Sequence, residues 1–394
     1  MTDHKAGVAA VVKYYAALIP VFLLCVAINL FSQDIPESEL DARINSYFDN
    51  FGVTVIYPQV SFSKKLSDNN GLSLRYLSDI ISSASMKSWF KVDGITSATT
   101  RNEGGADDTP DEWRHEFGAS FSQKISSGVL SLNGQYSTEH DYSSKTLSVT
   151  LSYPFAKKNT IIQTSVLFNF DKIFPQTRTW TKEKNTKNVN IGLTQIFSKN
   201  IITQFDASYI EVNGYMLDGY QVIRIINSAS TYQTLEPVAP DKRIRRAIGV
   251  RTNIGITKTS SLQLGYRYYW DTWDIQSHTI SAAISKNFSQ WFSATLDLRH
   301  YLQTRAFFFK PQYFAVEQFM TVDSKLNSGF SDQVMLSLAL KGRKSAGFPF
   351  FTNEKLSLTG SAGFYRRQND SPDWFSHYNT LYAYLLSIGI RYNF

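Results

Sequence analysis

The sequence alternates between large apolar residues and small or polar residues with a period of two, in many successive segments. In the last segment Tyr384, Leu386, Ile388 and Ile390 fall on one face of an extended chain, and Arg391 falls on the other. Further segments lie near residues 147–155, 248–256 and 262–271. Such segments, separated by turn residues, are typical of transmembrane β-barrels, in which one face meets lipid and the other lines the lumen. A soluble β-sandwich also alternates, but it would not sustain the pattern over so many strands.

The hydropathy of the chain argues against a helical membrane protein. The mean hydropathy is −0.23, and beyond residue 31 no window holds the roughly 18 consecutive apolar residues that a membrane helix needs. We therefore expect the barrel to be one domain that spans residues 34–394.

Residues 1–33 differ from the rest of the chain. Lys5 and Lys13 precede the apolar run 14–31, and polar residues follow it, as in a secretory signal peptide, so we expect cleavage near Gln33. A single membrane anchor is the alternative, because the run is close to spanning length, but Pro20 inside it argues against one. Cys25, the only cysteine, lies in this segment, so the mature chain is expected to hold no disulfide and no thiolate metal site.

The connections between the segments alternate in length, as barrels with short periplasmic turns and longer outer loops require. The chain ends in an aromatic-rich strand that closes on Phe394, a terminus that the barrel assembly machinery of Gram-negative outer membranes reads. Counting from a weak first strand at Leu40–Phe48, we predict an all-β antiparallel barrel of about sixteen strands, with a range of 14–18, in an outer membrane. The short links are expected at 67–71, 126–128, 156–159, 198–200, 258–260 and 287–290, and the long ones at 86–113, 174–186, 217–241, 306–327 and 368–379.

Charged residues fall on the face opposite to the apolar one and are expected to line the lumen. A barrel of roughly 16 to 18 strands leaves an aqueous channel unless it is plugged. Arginines on several strands and aspartates on others would create a transverse field, and a surplus of arginines would make the pore mildly anion-preferring. The alternative is that these charges pair and only stiffen the wall. The candidate lumen residues are Arg75, Asp79, Asp171, Asp206, Arg245, Arg251, Arg267, Asp271, Asp297, Arg299 and Arg391.

Motifs for catalysis or cofactor binding are not found in the sequence. The six histidines are too scattered for a metal-ligand pair with helical or finger spacing, and no nucleophile elbow or phosphate-binding glycine loop occurs. We therefore predict no enzyme, no catalytic residue, no metal and no cofactor. The acidic loop 103–112 and the basic run 242–246 can be read as cation-binding and lipid-phosphate-binding segments, or as a solvated loop and a polar strand start. In a barrel the formal charge of +7 says little about nucleic acid and more about the lumen and the rims, so we expect no nucleic-acid partner.

Several stretches resemble a family of bacterial barrels known as domain of unknown function 3570. The similar segments are YPQVSFSKKLSDN, YSTEHDYSSKTLSVTLSYPFAKKNT and LGYRYYWDTWDIQSHTISAAISKNFSQWFSATLDLRHYLQTRAFFF, of which residues 266–279 are the most specific. The resemblance implies an outer-membrane barrel and assigns no activity. It also implies that the gene lies near genes for a small lipoprotein, a thioredoxin-like protein and a flavin-transferring enzyme. The chain departs from the family in its compact start, DARINSYFDNFGV.

Two functions of different class follow from this reading. The first is a porin-like channel for small solutes or ions, whose lumen residues set conductance and ion preference. The second is a structural barrel that anchors or sheathes a periplasmic or lipoprotein partner, such as a flavin- or thioredoxin-type redox protein. Outer-membrane lipid and the assembly machinery are expected partners in both cases.

Overall fold

The computed structural model describes residues 35, 37–83, 112–226, 232–343, 352–370 and 379–394. The expected signal peptide and most of the acidic loop 103–112 lie outside the described residues. No helix among the described residues is long and apolar enough to cross a membrane.

Eighteen β-strands account for most of the described chain, and sixteen of them form one closed barrel. The barrel strands are β1 (Glu39–Asp49), β2 (Val53–Lys65), β3 (Asn70–Ser83), β4 (Glu112–Ile125), β5 (Gly128–Thr138), β6 (Tyr142–Phe155), β7 (Thr160–Ile173), β8 (Lys182–Ser198), β9 (Ile201–Gly214), β12 (Lys242–Thr257), β13 (Ser260–Asp271), β14 (Gln276–Asn287), β15 (Phe292–Gln303), β16 (Gly329–Lys341), β17 (Leu356–Asn369) and β18 (Thr380–Asn393). The remaining two strands, β10 (Ile223–Ile226) and β11 (Tyr232–Leu235), pair with each other in a separate two-stranded sheet that is not part of the barrel.

Each barrel strand pairs antiparallel with its neighbours in the chain, apart from the step from β9 to β12 and the closing pair of β1 with β18. The closing pair runs from Glu39 opposite Asn393 to Asp49 opposite Ala383. Closure leaves no unpaired strand edge, which is the condition for a sheet to cross a lipid bilayer. The prediction of about sixteen strands is confirmed, and so is the first strand, which the sequence pattern marks only weakly.

The two rims of the barrel differ in the length of their links. On the rim that carries both chain ends, two to four residues join most strand pairs, although 342–355 is longer. The opposite rim carries the long segments 174–181, 215–241 and 304–328. The expected loop 174–186 is shorter than predicted, because β8 already begins at Lys182 and its polar residues continue the wall beyond the apolar band.

The pairing register assigns a face to every barrel residue. Leu147, Val149 and Ile191 are exposed, as are most other large apolar residues of their parity on every strand. Exposed apolar side chains that form a continuous belt around a closed sheet belong on the lipid side, so the opposite parity points into the lumen. We call these the outward and inward faces.

Candidate pore lining

All eleven candidate lumen residues occupy the inward face. Arg75 lies opposite Gly118, Asp206 opposite Gly249, and Arg267 opposite Thr279, and each of these registers belongs to the inward parity. The structure therefore brings the predicted residues to one side of the sheet, and their effect on conductance stays a prediction. The remaining inward candidates are Asp79, Asp171, Arg245, Arg251, Asp271, Asp297, Arg299 and Arg391.

Ion pairs cover the inward face of β3 and β4. Arg75 donates to Glu116, which also accepts a 3.2 Å hydrogen bond from the Gln135 side chain. Arg114 lies 3.4 Å from Asp79 and also donates to Glu139 just beyond β5. Each arginine of this wall has a carboxylate partner, so its charges are largely neutralised where they stand. We call the inward face of β2–β5 the paired wall.

The closing seam of the barrel is paired as well. Asp41 is buried between Arg43, at 2.6 Å, and Arg391, at 3.1 Å, and the Arg391 guanidinium also reaches Glu39 at 3.6 Å. Because Asp41 and Arg391 lie on β1 and β18, this cluster joins the two ends of the chain across the seam. The charges here stabilise closure.

The inward face of β12, β13 and β15 carries arginines that have no such partners. Arg251, Arg267 and Arg299 are exposed, and among the described residues no carboxylate lies within salt-bridge distance of any of them. Arg267 donates a 3.3 Å hydrogen bond to the Ser208 hydroxyl, and Arg299 lies 5.7 Å from the ring centre of Tyr301. We call the inward face of β12–β15 the arginine wall.

The two walls face each other across the lumen. In the order of the ring, β13 is eight strands from β3 in either direction. The paired wall balances its arginines on β3 and β4 with carboxylates, whereas the arginine wall carries five inward arginines against Asp271 and Asp297. The five are Arg243, Arg245, Arg251, Arg267 and Arg299. The unpaired positive charge of the inward face is therefore concentrated on the arginine wall, and the transverse field expected from it stays a prediction.

A buried cluster lies above the arginine wall at the rim of the long loops. Trp273 is 1% exposed and packs edge-on against Phe308, with their ring centres 5.0 Å apart. Arg243 stacks over the Trp273 ring at 4.1 Å and donates to Asp271. The other carboxylate oxygen of Asp271 accepts hydrogen bonds from the backbone N–H groups of Trp273 and Ile275, at 2.8 and 3.2 Å. One buried aspartate therefore ties β12 to the loop between β13 and β14.

A second buried cluster joins the hairpin β10–β11 to the loop between β15 and β16. Ile223, Ile225, Tyr313 and Met320 are at most 2% exposed and pack together. The Tyr313 hydroxyl donates to the Phe308 carbonyl at 2.6 Å, so this cluster is continuous with the first. We call the structure formed by 215–226, 232–241, 272–275 and 304–326 the cap. The sequence did not reveal it, although the apolar runs in these two long loops were the available signal.

Two features fix the cap to the barrel. Gly214 ends β9 with a positive φ of 110°, and a side chain there would collide with the Glu183 backbone. The Tyr220 hydroxyl donates to Asp141 at 2.6 Å, and the Asp218 carboxylate accepts from the Tyr220 N–H at 2.9 Å. Burial raises the pKa of Asp218 to about 6, so this carboxyl gains a proton just below neutral pH.

The sheet separates His115 and His278 from the carboxyl and hydroxyl groups that follow or precede them in the sequence. His115 and His278 lie on the outward face, where they bond to Tyr76 and Tyr266 at 2.9 and 2.8 Å. Glu116 and Ser277, their neighbours in sequence, point to the other side of the sheet. No group of three potential ligands that could hold a metal occurs in the part of the chain that the structure describes.

The described tryptophans differ in their surroundings, since only some of them lie where an interfacial girdle of a membrane barrel is built. Trp113 is 49% exposed on the outward face, as a girdle residue should be. Trp273 is instead buried in the cap, and Trp180 packs edge-on against Tyr215 with ring centres 5.2 Å apart.

A family described as "Protein of unknown function (DUF3570)" matches residues 26–181 and 169–333, which together are more than half of the chain. No curated protein matches the chain significantly.

Solved structures share the barrel fold. A bacterial polysaccharide outer membrane secretin is similar with a TM-score of 0.50 and 7% identity, over 91% of this chain and 99% of that one. OpdK from Pseudomonas aeruginosa, solved with vanillate, has a TM-score of 0.45 and 9% identity over 91% and 98%. For the siderophore receptor PirA from Pseudomonas aeruginosa the values are 0.44 and 9%, over 86% of this chain and 57% of the receptor. This chain thus spans little more than half of that receptor. The likeness to the secretin shows a barrel fold like that of outer-membrane proteins.

Proposed function

We propose that this chain, which belongs to the family described as "Protein of unknown function (DUF3570)", forms an outer-membrane channel that favours small anionic solutes. It reaches the outer membrane of a Gram-negative bacterium after the signal peptide is removed near Gln33. The solute itself is defined here only by its size and charge.

One observation carries the proposal, namely that inward arginines on the arginine wall are both unpaired and exposed. Arg251, Arg267 and Arg299 point to the inside of a closed barrel and still expose more than a third of their surface. An inward side chain stays exposed only where the lumen leaves open space beside it, and sixteen strands enclose enough width for water. Guanidinium groups that lack carboxylate partners attract anions from that water.

The cap supports a channel with a shaped entrance. Its segments are linked to β9 and β12–β16, which include the strands of the arginine wall. A solute that enters from this rim therefore passes the cap before it meets Arg267, so the cap restricts size while the arginines select charge.

Reversal potentials in planar bilayers test the proposal. The purified mature chain should give anion-selective steps in a salt gradient, and a variant that combines R251Q, R267Q and R299Q should lose that preference. R366Q removes the same kind of charge from the outward face, where Arg366 lies opposite Asp332, and should leave selectivity unchanged. Cation selectivity of the unmodified chain, or a folded barrel that never conducts, would reject the channel.

A second candidate is a barrel that anchors a protein partner, and the surface of the cap favours it. Phe314 and Val316 are 70% and 62% exposed in the middle of the loop between β15 and β16, so two large apolar side chains stand free on the surface of the cap. Because the cap lies on the rim of the long loops, the expected partner there is a lipoprotein, or a redox protein of the flavin or thioredoxin type, on the outer side of the membrane. Extraction in a mild detergent distinguishes the two functions, since an anchor should co-purify with its partner and lose it when Phe314 and Val316 are changed to Ser.

A further inference from the structure

An apolar groove runs along the outward face of β2–β7. Its upper part, nearer the rim of the long loops, has a volume of about 880 Å³. It is lined by Leu74, Tyr76, Phe117, Tyr136, Leu147 and Phe170. A second hollow of about 440 Å³ shares Leu147 and continues the groove toward the rim of the short turns. A volume of this size is typical of pockets that hold a small molecule, about 300–1,000 Å³.

Two small residues form the floor of the groove. Ala119 and Gly134 lie opposite each other on β4 and β5 and are flanked by Leu74 and Leu147. The neighbouring outward positions toward the long-loop rim carry Phe117 and Tyr136, so the wall is lower where the small residues stand. The depression therefore follows from the sequence itself, and its long apolar shape matches an acyl chain.

A lysine marks the upper end of the groove. Lys145 is exposed on the outward face between Tyr136 and Phe170, three residues after the start of β6 at the rim of the long loops. Among the described residues it has neither a carboxylate nor a hydrogen-bond partner. Lys172 is its diagonal neighbour on β7, at roughly 7–8 Å between Cα atoms for such a pair. Both side chains are long enough to extend to the lipid head groups while their stems stay apolar.

We propose that this surface binds one molecule of a phosphate-bearing anionic lipid from the surrounding leaflet. Its acyl chain lies in the groove over Ala119 and Gly134, and its phosphate contacts the ammonium groups of Lys145 and Lys172. Lysines near a membrane surface attract anionic lipids in this way.

The charge of Lys145 argues against a second copy of the chain as the occupant. A second barrel would have to cover Lys145 with its own apolar belt, and an unpaired ammonium buried there is costly. Glu183 lies opposite Lys172, but among the described residues no carboxylate forms an ion pair with either lysine, so both stay available to the lipid. A phosphate satisfies them without such a cost.

Native mass spectrometry of the detergent-purified chain tests this site. The barrel is titrated with phosphatidylglycerol and, separately, with phosphatidylcholine of the same acyl chains. We expect one phosphatidylglycerol to bind about tenfold more tightly, and K145Q to reduce that preference to about threefold or less. K187Q is the matched control, because Lys187 is another exposed outward lysine but lies beyond the groove on β8. The K187Q variant should keep the full preference for phosphatidylglycerol.

A second variant tests the groove independently of charge. A Cβ at Gly134 would meet the Leu147 side chain at an ordinary 3.7 Å, so G134L should fold and fill the depression. We expect G134L to weaken the binding of both lipids about fivefold or more. Heat-modifiable migration in a detergent gel checks that the variant folds. Equal loss in K145Q and K187Q, no preference for phosphatidylglycerol, or a dimer that occupies the groove would overturn the proposal. None of these outcomes depends on whether the barrel conducts.

Discussion

The paired wall and the arginine wall have the same secondary structure and the same alternation, yet their charges do different things. On the paired wall Arg75 and Arg114 each reach a carboxylate on a neighbouring strand, so their charges join strands. On the arginine wall Arg251 and Arg267 have uncharged neighbours across the strand pairs, Gly265 and Thr279. The difference teaches that an inward charge becomes available to a solute only when no partner stands beside it.

The largest effect is expected from destabilising the cap above the arginine wall. W273A takes a fully buried ring away from Phe308 and Arg243 and should cost the cap about 3–5 kcal/mol. The cap should become sensitive to protease between residues 304 and 326, and conductance should rise while anion preference stays. W113A, on the outward face, is the control and should leave the cap intact. A variant cap that resists protease as well as the unmodified one would contradict the packing described here.

Asp218 makes the stability of the cap depend on pH. Its pKa is raised from 3.8 to about 6 in the folded cap, so the folded state holds a proton that the unfolded loop releases between these values. The cap should therefore be more stable at pH 5 than at pH 7.5, by roughly 1–1.5 kcal/mol, because each pH unit between about 6 and the unfolded value adds about 1.4 kcal/mol, and this gain is lost as pH rises through about 6. Hydrogen exchange of the cap at the two pH values measures it. D218N should abolish the difference, and an unchanged difference in D218N would assign it to another group.

Breaking the paired wall should destabilise the barrel and leave the arginine wall untouched. R114A leaves Asp79 and Glu139 without their arginine, which should cost about 1–3 kcal/mol because the guanidinium is a third exposed and partly screened. Urea unfolding in detergent, followed by tryptophan fluorescence, measures the loss. R267A is the comparison, since its arginine has no ion pair to lose, and the paired-wall account is wrong if both variants lose equal stability.

The smallest effect is expected when a whole pair is replaced at once. R75Q combined with E116Q removes one positive and one negative charge from the same contact, so the net charge of the lumen does not change. Selectivity should stay within the error of the reversal-potential measurement. A clear shift would mean that paired charges also act on the solute.

The strand number and the assignment of residues to the two faces could be predicted from the sequence, because period-two alternation is local. Arg267 and Tyr266 needed only their neighbours to be assigned to opposite faces. The partners were harder to predict, since Arg114 stood at the edge of an expected loop and its contacts with Asp79 and Glu139 depend on register. The cap was missed because Ile223 and Tyr313 are about ninety residues apart and meet only through packing between loops.

Cysteine substitution at two adjacent positions tests most directly whether the arginine wall lines an open lumen. The only cysteine of the chain is Cys25, inside the expected signal peptide, so R267C and Y266C would each introduce a single thiol into the mature barrel. A membrane-impermeant, negatively charged thiol reagent should react with R267C in a planar bilayer and reduce its current, and should leave Y266C unchanged. Block of Y266C, or an unreactive thiol at position 267 in a folded barrel, would contradict the account.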